Sequence, residues 1–316
     1  MQVCLMIEGQ EDVTWDQWVA LAATCERVGI PTLFRSDHYV SVVGRKERGS
    51  LDAWATICGL AARTDRLRVG TLVSPATFRH PSVLAKNVVT ADHISGGRVE
   101  LGMGAGWHEP EHAAYGFDFP DTGDRMDRFA EQIEIVHRQW TENGFSFAGR
   151  HYKLEDVDAL PKPIQQPHPH LIVGGSGGRR SIGLTARWAD EYNTLTTWTH
   201  EIEERRARLD RACEIQGRDP SSLPLSVMTR AVVGADRGEV LRRAAAVLEQ
   251  TGRGGDPEEY VENQGDAAAV GTLDEVTERL RELEEAGVER VMLQHLAHDD
   301  LDTVALIGGE LSPLVA

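Results

Sequence analysis

The chain has 316 residues, with 33 lysines and arginines against 50 aspartates and glutamates and a formal net charge of −17. So acidic a chain argues against a nucleic-acid partner, because phosphate backbones are held mainly by clustered lysine and arginine. At 41% hydrophobic residues it can bury a full core, yet no apolar run approaches the ~20 residues that cross a bilayer, and Met1 leads into Val3-Cys4-Leu5-Met6-Ile7 with no basic leader, so a soluble cytoplasmic protein with no membrane partner is expected.

From the first strand-like run onward, short β-branched runs alternate with longer amphipathic segments, the pattern of a parallel sheet built from βα units. The strand-like runs are Val3–Ile7, Thr32–Arg35, Leu67–Val73, Val99–Met103, His170–Val173, Glu191–Thr194, Leu225–Val233 and Arg290–Gln294. Helical patterns occupy Thr14–Val28, Leu51–Arg63, Pro81–Ile94, Asp124–Trp140, Arg179–Ala189, Thr199–Gln216, Arg237–Gln250 and Asp300–Leu311, with an extra helix over Asp274–Ala286. Eight units favour a closed (β/α)8 TIM barrel, one domain over residues 1–316, over an open doubly wound sheet. Three stretches exceed ordinary loops, Tyr39–Ser50, Gly104–Gly123 and Thr251–Val270, while Phe145–Gln166 reads as a small hairpin and a proline-rich connector. The first two follow strands directly, so in a barrel they lie at the C-terminal face, where function is expected. Cys4, Cys25, Cys58 and Cys213 are too scattered for a zinc knuckle, a redox dithiol or a disulfide framework, and are expected as buried thiols.

Chemistry-bearing residues gather after the strands. Ser36-Asp37-His38 closes the second strand, which sets a histidine beside a carboxylate at the barrel mouth, a proton-transfer or hydrogen-bonding unit near neutral pH. A structural histidine at a strand end is the alternative. Leu72 to Pro81 leaves the third strand and enters a helix at Pro81, a stretch that composition alone reads as a plain loop. Gly102-Met103-Gly104-Ala105-Gly106-Trp107 is similar to a dinucleotide fingerprint but lacks its spacing and its acidic ribose ligand, so the glycines are expected to let backbone approach a flat ligand. His108-Glu109-Pro110-Glu111-His112 matches the zinc-protease pattern, but Pro110 belongs at the start of a helix, which leaves His108 outside it and argues against a metal. Gly174-Gly175-Ser176-Gly177-Gly178-Arg179-Arg180 ends the fifth strand and opens a helix, an arrangement suited to a phosphate on free N–H groups, expected from Gly177 and Gly178 with Arg179 or Arg180 assisting.

In their order and spacing these pieces resemble the bacterial-luciferase-like flavin and deazaflavin oxidoreductases, and more closely the coenzyme F420-dependent branch. Ser36-Asp37-His38, Gly70-Thr71 through Thr77-Phe78-Arg79-His80-Pro81, Leu101 through Trp107, Gly149-Arg150-His151-Tyr152, Gly174-Gly175-Ser176-Gly177 and Gly271-Thr272 carry the likeness. The resemblance implies an enzyme that passes a hydride between F420 and a small organic substrate, with an FMN-dependent monooxygenase as the alternative and a non-catalytic flavin-binding barrel as a third reading. It places the ring of the cofactor by Asp37, Leu72, Val73, Gly104, Ala105 and Gly106, with a cis peptide at Leu72–Val73. It places the phosphate on Gly174 to Arg179. Catalysis is expected of His38 and Asp37 with Glu109 in reach, and Trp107 and Phe78 are expected to border the substrate. Homodimers are common among the proteins it resembles. One departure bears on substrate: where sugar-phosphate dehydrogenases of this family carry an acid right after the third glycine, this chain has Trp107.

Overall fold

The computed structural model describes residues 1–195 and 198–316. Its strands are β1 Gln2–Ile7, β2 Thr32–Arg35, β3 Arg68–Pro75, β4 Val99–Gly104, β5 Phe145–Ala148, β6 Lys153–Val157, β7 His170–Gly174, β8 Glu191–Thr194, β9 Leu225–Gly234, β10 Ala269–Thr272 and β11 Arg290–Gln294. The helices are α1 Trp15–Val28, α2 Ala53–Ala61, α3 Pro81–Ser95, α4 Glu109–Tyr115, α5 Thr122–Thr141, α6 Arg179–Trp188, α7 Thr199–Gln216, α8 Arg237–Thr251, α9 Pro257–Gln264, α10 Leu273–Glu285 and α11 Leu301–Leu306. Eight parallel strands close on themselves in the order β1-β2-β3-β4-β7-β8-β9-β11, with β11 returning to β1, and this is the expected TIM barrel. β5 and β6 form the expected hairpin.

Alternation along each strand divides the core in two. On β1, Val3, Leu5 and Ile7 face outward into the layer shared with the helices, whereas Cys4 and Met6 face inward with Phe34, Leu72, Ile172 and Met292. Below that apolar layer the barrel is filled by ions. Arg290 lies 2.7 Å from Glu100 and 3.0 Å from Glu191, Arg68 reaches Glu100 at 2.7 Å, and His170 reaches Glu191 at 3.0 Å. Glu100, Glu191 and Arg290 are all buried. Burial works against the charge of Glu100, but the adjacent Arg290 overrides it and holds the carboxyl down at about 2.

Helix ends follow local chemistry. Thr14 and Gln17 form a reciprocal capping box at the start of α1, Gly29 closes the helix with φ 82°, and Pro81 opens α3 in its first turn. Two long loops contain more order than their composition suggests. Gly104–Gly123 holds α4, which begins at Glu109 with Pro110 in its first turn, and Thr251–Val270 holds α9, whose cap Asp256 accepts from the N–H groups of Glu258 and Glu259. The helix expected over Asp300–Leu311 instead ends at Leu306 and widens into a π turn over Ile307–Leu311; a Cβ on Gly308 would lie 2.2 Å from the Val28 side chain, so the widened turn sets bare backbone against α1. All four cysteines are free, and Cys58 is half-exposed rather than buried.

Candidate active site

The site is assembled at the C-terminal ends of β1 to β4 and β7. Directly after β2, the Ser36 hydroxyl accepts from the Gly9 N–H at 3.0 Å and donates to Gln10, which ties β2 to the loop after β1. Asp37 is only 1% exposed. Its Oδ2 takes Arg79 at 2.6 Å and the Ser74 hydroxyl at 2.6 Å, and Arg79 continues to Asp52 at 2.8 Å and to the Tyr39 hydroxyl at 3.1 Å. Burial opposes the charge on Arg79, but the Asp37 carboxylate outweighs it and the guanidinium is held more firmly protonated than usual. The other oxygen of Asp37, Oδ1, is buried and has no hydrogen bond among the described residues. A buried carboxylate oxygen in that state fits a ligand that donates to it.

His38 does not pair with Asp37. Its Nδ1 lies 2.7 Å from Glu111 Oε1, and Glu111 Oε2 accepts the Tyr39 N–H at 3.1 Å. A carboxylate only accepts, so Nδ1 carries the proton, which leaves Nε2 for a ligand. Burial alone would lower the pKa of His38; the bond to Glu111 and its charge, with smaller contributions from Glu8 and Asp37, raise it above the ordinary value. The ring stands edge-on to Trp107 at 5.6 Å and to His108 at 5.9 Å, and Trp107 is 64% exposed.

Glu109, the acid expected near the histidine, is exposed at the start of α4, whereas Glu111 is buried. Residues two apart on a helix point in nearly opposite directions, so only one of these acids can turn inward. Phe78 stacks on Tyr39 at 5.3 Å and packs on Phe117 at 4.8 Å; among the described residues no ring contact joins it to His38 or Trp107. The zinc-protease pattern does not assemble. His112 Nδ1 is bonded to the His108 carbonyl at 2.8 Å and Nε2 to the Thr77 hydroxyl at 2.7 Å, and no metal-binding group of three is found among the described residues.

Beside this polar wall, the Leu72–Val73 peptide is cis, at a shift of register between β3 and β4. Glycines surround Val73. A Cβ on Gly104 would come within 2.9 Å of one Val73 methyl, and a Cβ on Gly174 within 2.8 Å of the other. Gly104, one of the glycines expected to admit a flat ligand, leaves its side-chain space to Val73, as does Gly174 of the expected phosphate loop. Ala105 follows on the same wall, and Gly106 sits at φ 83° with its notional Cβ 2.8 Å from the Thr77 hydroxyl, a position only glycine tolerates.

The loop after β7 departs in part from expectation. The Gly177 N–H donates to the Tyr192 hydroxyl at 2.7 Å, so it is not free for a phosphate, and Arg180 is tied to Asp127. Gly175 donates to the Asn193 carbonyl at 3.0 Å, and Ser176 is exposed. What stays open is the first turn of α6. Gly178 caps it with no side-chain bond, and Arg179 is exposed beside it. Arg205 and Arg208 of α7 also crowd Gly177, the latter 3.5 Å from its carbonyl. Adjacency in sequence points to Asp37 and Glu109, and nothing in it points to Glu111, Arg205 or Arg208, which join the site only through tertiary contact.

A buried acid–histidine pair, a valine shelf and an open helix N-terminus stand around one mouth of a parallel eight-stranded barrel, the face at which such barrels bind their ligands. Residues 2–290 match the luciferase-like monooxygenase family, and the chain belongs to that family. It is 35% identical over 159 residues to an F420-dependent glucose-6-phosphate dehydrogenase of Amycolatopsis mediterranei, covering 50% of this chain and 47% of that protein. It is 34% identical over 135 residues to the FMNH(2)-dependent dimethylsulfone monooxygenase of Pseudomonas putida, covering 43% and 37%. In these alignments the chain spans about half the length of the curated relatives or less. Among solved structures, an F420-dependent secondary alcohol dehydrogenase in complex with an F420-acetone adduct superimposes with a TM-score of 0.81 at 18% identity, with 100% of both chains covered. The monooxygenase RslO1 of Streptomyces bottropensis gives a TM-score of 0.85 at 22% identity, again over 100% of both chains. These likenesses establish the fold.

Proposed function

We propose that this protein is an oxidoreductase that transfers a hydride between coenzyme F420 and a small organic substrate at the mouth of a barrel formed by the whole chain. The observation that carries the reading is the His38–Glu111 pair, which leaves Nε2 open beside the Val73 shelf and the unpartnered oxygen of Asp37. A flavin-type cofactor fits these residues. Val73 would back its ring, Asp37 Oδ1 could accept a hydrogen bond from it, and the first turn of α6 with Arg179 would hold its phosphate. When bound, a deazaflavin supplies hydride exchange with little reactivity toward oxygen, because carbon stands where a flavin forms its oxygen adduct.

The protein's own share is proton handling and positioning. When the substrate is an alcohol or a carbonyl, hydride transfer leaves a proton to be moved, and a group that titrates near neutrality within hydrogen-bond reach does this best. His38 Nε2 takes or gives that proton. Glu111 fixes the ring and its tautomer and stabilises the imidazolium, and Trp107 borders the substrate. Glu109, exposed on α4, has no role in this scheme.

The test is reconstitution with each cofactor and measurement of dissociation constants, followed by His38→Ala. Binding of F420 in preference to FMN is expected. His38→Ala should keep F420 binding within about tenfold and lose roughly 10² to 10⁴ in turnover. Tighter binding of reduced FMN, with oxygen consumption, would replace this reading by the FMN-dependent monooxygenase one, which the dimethylsulfone monooxygenase relative favours.

A further inference from the structure

The inward face of β9 continues past the site toward solvent. Ser226 lies 2.9 Å from the Asn193 amide, and Met228 packs on the interior layer of Met6, Leu72 and Met292. Alternation places Arg230 on that same face, nearer the mouth, and the strand register sets it opposite Gln294. Arg230 is exposed, and it has no hydrogen bond or ion pair among the described residues. Several other arginines around the mouth have partners, though Arg179 at the first turn of α6 stays open. Arg79 is on Asp37, Arg48 is 2.8 Å from Glu11, and Arg205 is 3.2 Å from Glu201. Gln294, the register neighbour of Arg230, donates to Glu8, and both oxygens of Glu8 are taken, one by the Gln294 amide and the other by Gln10 at 2.7 Å. A guanidinium thus stands uncommitted at the rim, in a chain of net charge −17. At the same rim Trp107 and Leu195 are 64% and 67% exposed and offer apolar surface.

We propose that Arg230 recognises an anionic group on the substrate, so that the enzyme acts on molecules that combine an oxidisable or reducible carbon, a short apolar body and a terminal carboxylate or other oxyanion. The assignment rests on the hydride-transfer reading above and deepens it. The reacting carbon lies by His38 Nε2, the apolar body lies against Trp107 and Leu195, and the oxyanion accepts from the planar fork of Arg230, a geometry that pairs two N–H groups with two oxygens. The same anion chemistry could come from the cofactor, and the experiment separates the two sources.

The experiment uses the cofactor-loaded enzyme and two probes that share a secondary carbinol and differ in one end group, 4-hydroxypentanoate and 2-pentanol, with binding measured by isothermal titration and no turnover required. The expected result is that the wild type binds the hydroxy acid at least ~10-fold more tightly. Arg230→Gln should abolish the difference, Arg230→Lys should keep part of it, and the cofactor dissociation constant should stay within about twofold in both variants. Equal binding of the two probes by the wild type, a preference that survives Arg230→Gln, no binding of either probe, or a cofactor constant weakened ~10-fold by Arg230→Gln would each overturn the proposal. Failure of the hydride-transfer reading shows elsewhere, as unchanged cofactor absorbance with every alcohol and carbonyl offered.

Discussion

Replacing Glu111 by Gln isolates what the carboxylate does for His38, because the amide has nearly the same shape but a single accepting oxygen. Glu111 serves two donors, His38 Nδ1 at 2.7 Å and the Tyr39 N–H at 3.1 Å, one on each oxygen. The backbone N–H of Tyr39 cannot change its role, so the amide oxygen turns to it and the NH₂ group faces His38. Nδ1 must then accept, and the proton moves to Nε2, the atom needed as base. Without the hydrogen bond to a charged acceptor and without its charge, burial is left to act alone and the pKa of His38 should fall. The direction follows from the structure, in which Glu111 is the main influence raising that pKa against the effect of burial. The assay is a proton NMR titration of the His38 ring in the intact protein, paired with the pH profile of kcat/KM at saturating cofactor. Stability should follow the same sign. The stabilisation from the His38–Glu111 pair is fully present below the unfolded histidine value of ~6.5 and is lost as pH rises through the higher folded value, so the variant should lose most stability on the acid side of neutrality. A titration midpoint unmoved by Glu111→Gln, with the rate profile also unmoved, would refute the reasoning.

Arg290→Met should destabilise the barrel by about 3 to 5 kcal/mol in urea unfolding, because it strands Glu100 and Glu191 without their shared cation in a buried layer. Glu100 is held down at about 2, so its contribution is present above the ordinary ~4.3 and is lost as pH falls toward 2; wild-type stability should decline through that window, and Arg290→Met should flatten the decline. Gly174→Ala should displace the shelf, since its Cβ would meet a Val73 methyl at 2.8 Å, and weaken cofactor binding by at least ~10-fold with little change in the far-UV spectrum; unchanged cofactor binding would remove Val73 from the ring site.

The barrel was legible because its eight strands are β-branched runs with helical periods between them, and Thr32–Arg35, Glu191–Thr194 and Arg290–Gln294 keep the bounds that composition suggests. β10 was not. Ala269-Val270-Gly271-Thr272 is interrupted by a glycine, and its pairing with the end of β9 is a tertiary fact. The position of Asp37 and His38 directly after β2 was legible from the strand end, and the cis peptide at Leu72–Val73 from the resemblance. Sequence adjacency misled at the acid, because the partner of His38 lies 73 residues away and its inward direction is decided by where α4 begins, at Glu109. Gly104 is ambiguous in one dimension, because a glycine that leaves room for a ligand and one that leaves room for a neighbouring valine read the same there.

The ion-filled floor of the barrel makes it a vessel with one door. Arg290, Glu100 and Glu191 close the lower end, and the apolar layer of Met6, Phe34, Ile172 and Met292 lies between them and the mouth, so anything that reaches Val73 must enter and leave by the mouth. On the proposed reading, with the cofactor ring on the shelf and the substrate above it, the deeper guest would arrive first and depart last. An enzyme so arranged follows a compulsory binding order, and its dead-end complexes are those in which the shallower guest sits on an empty shelf.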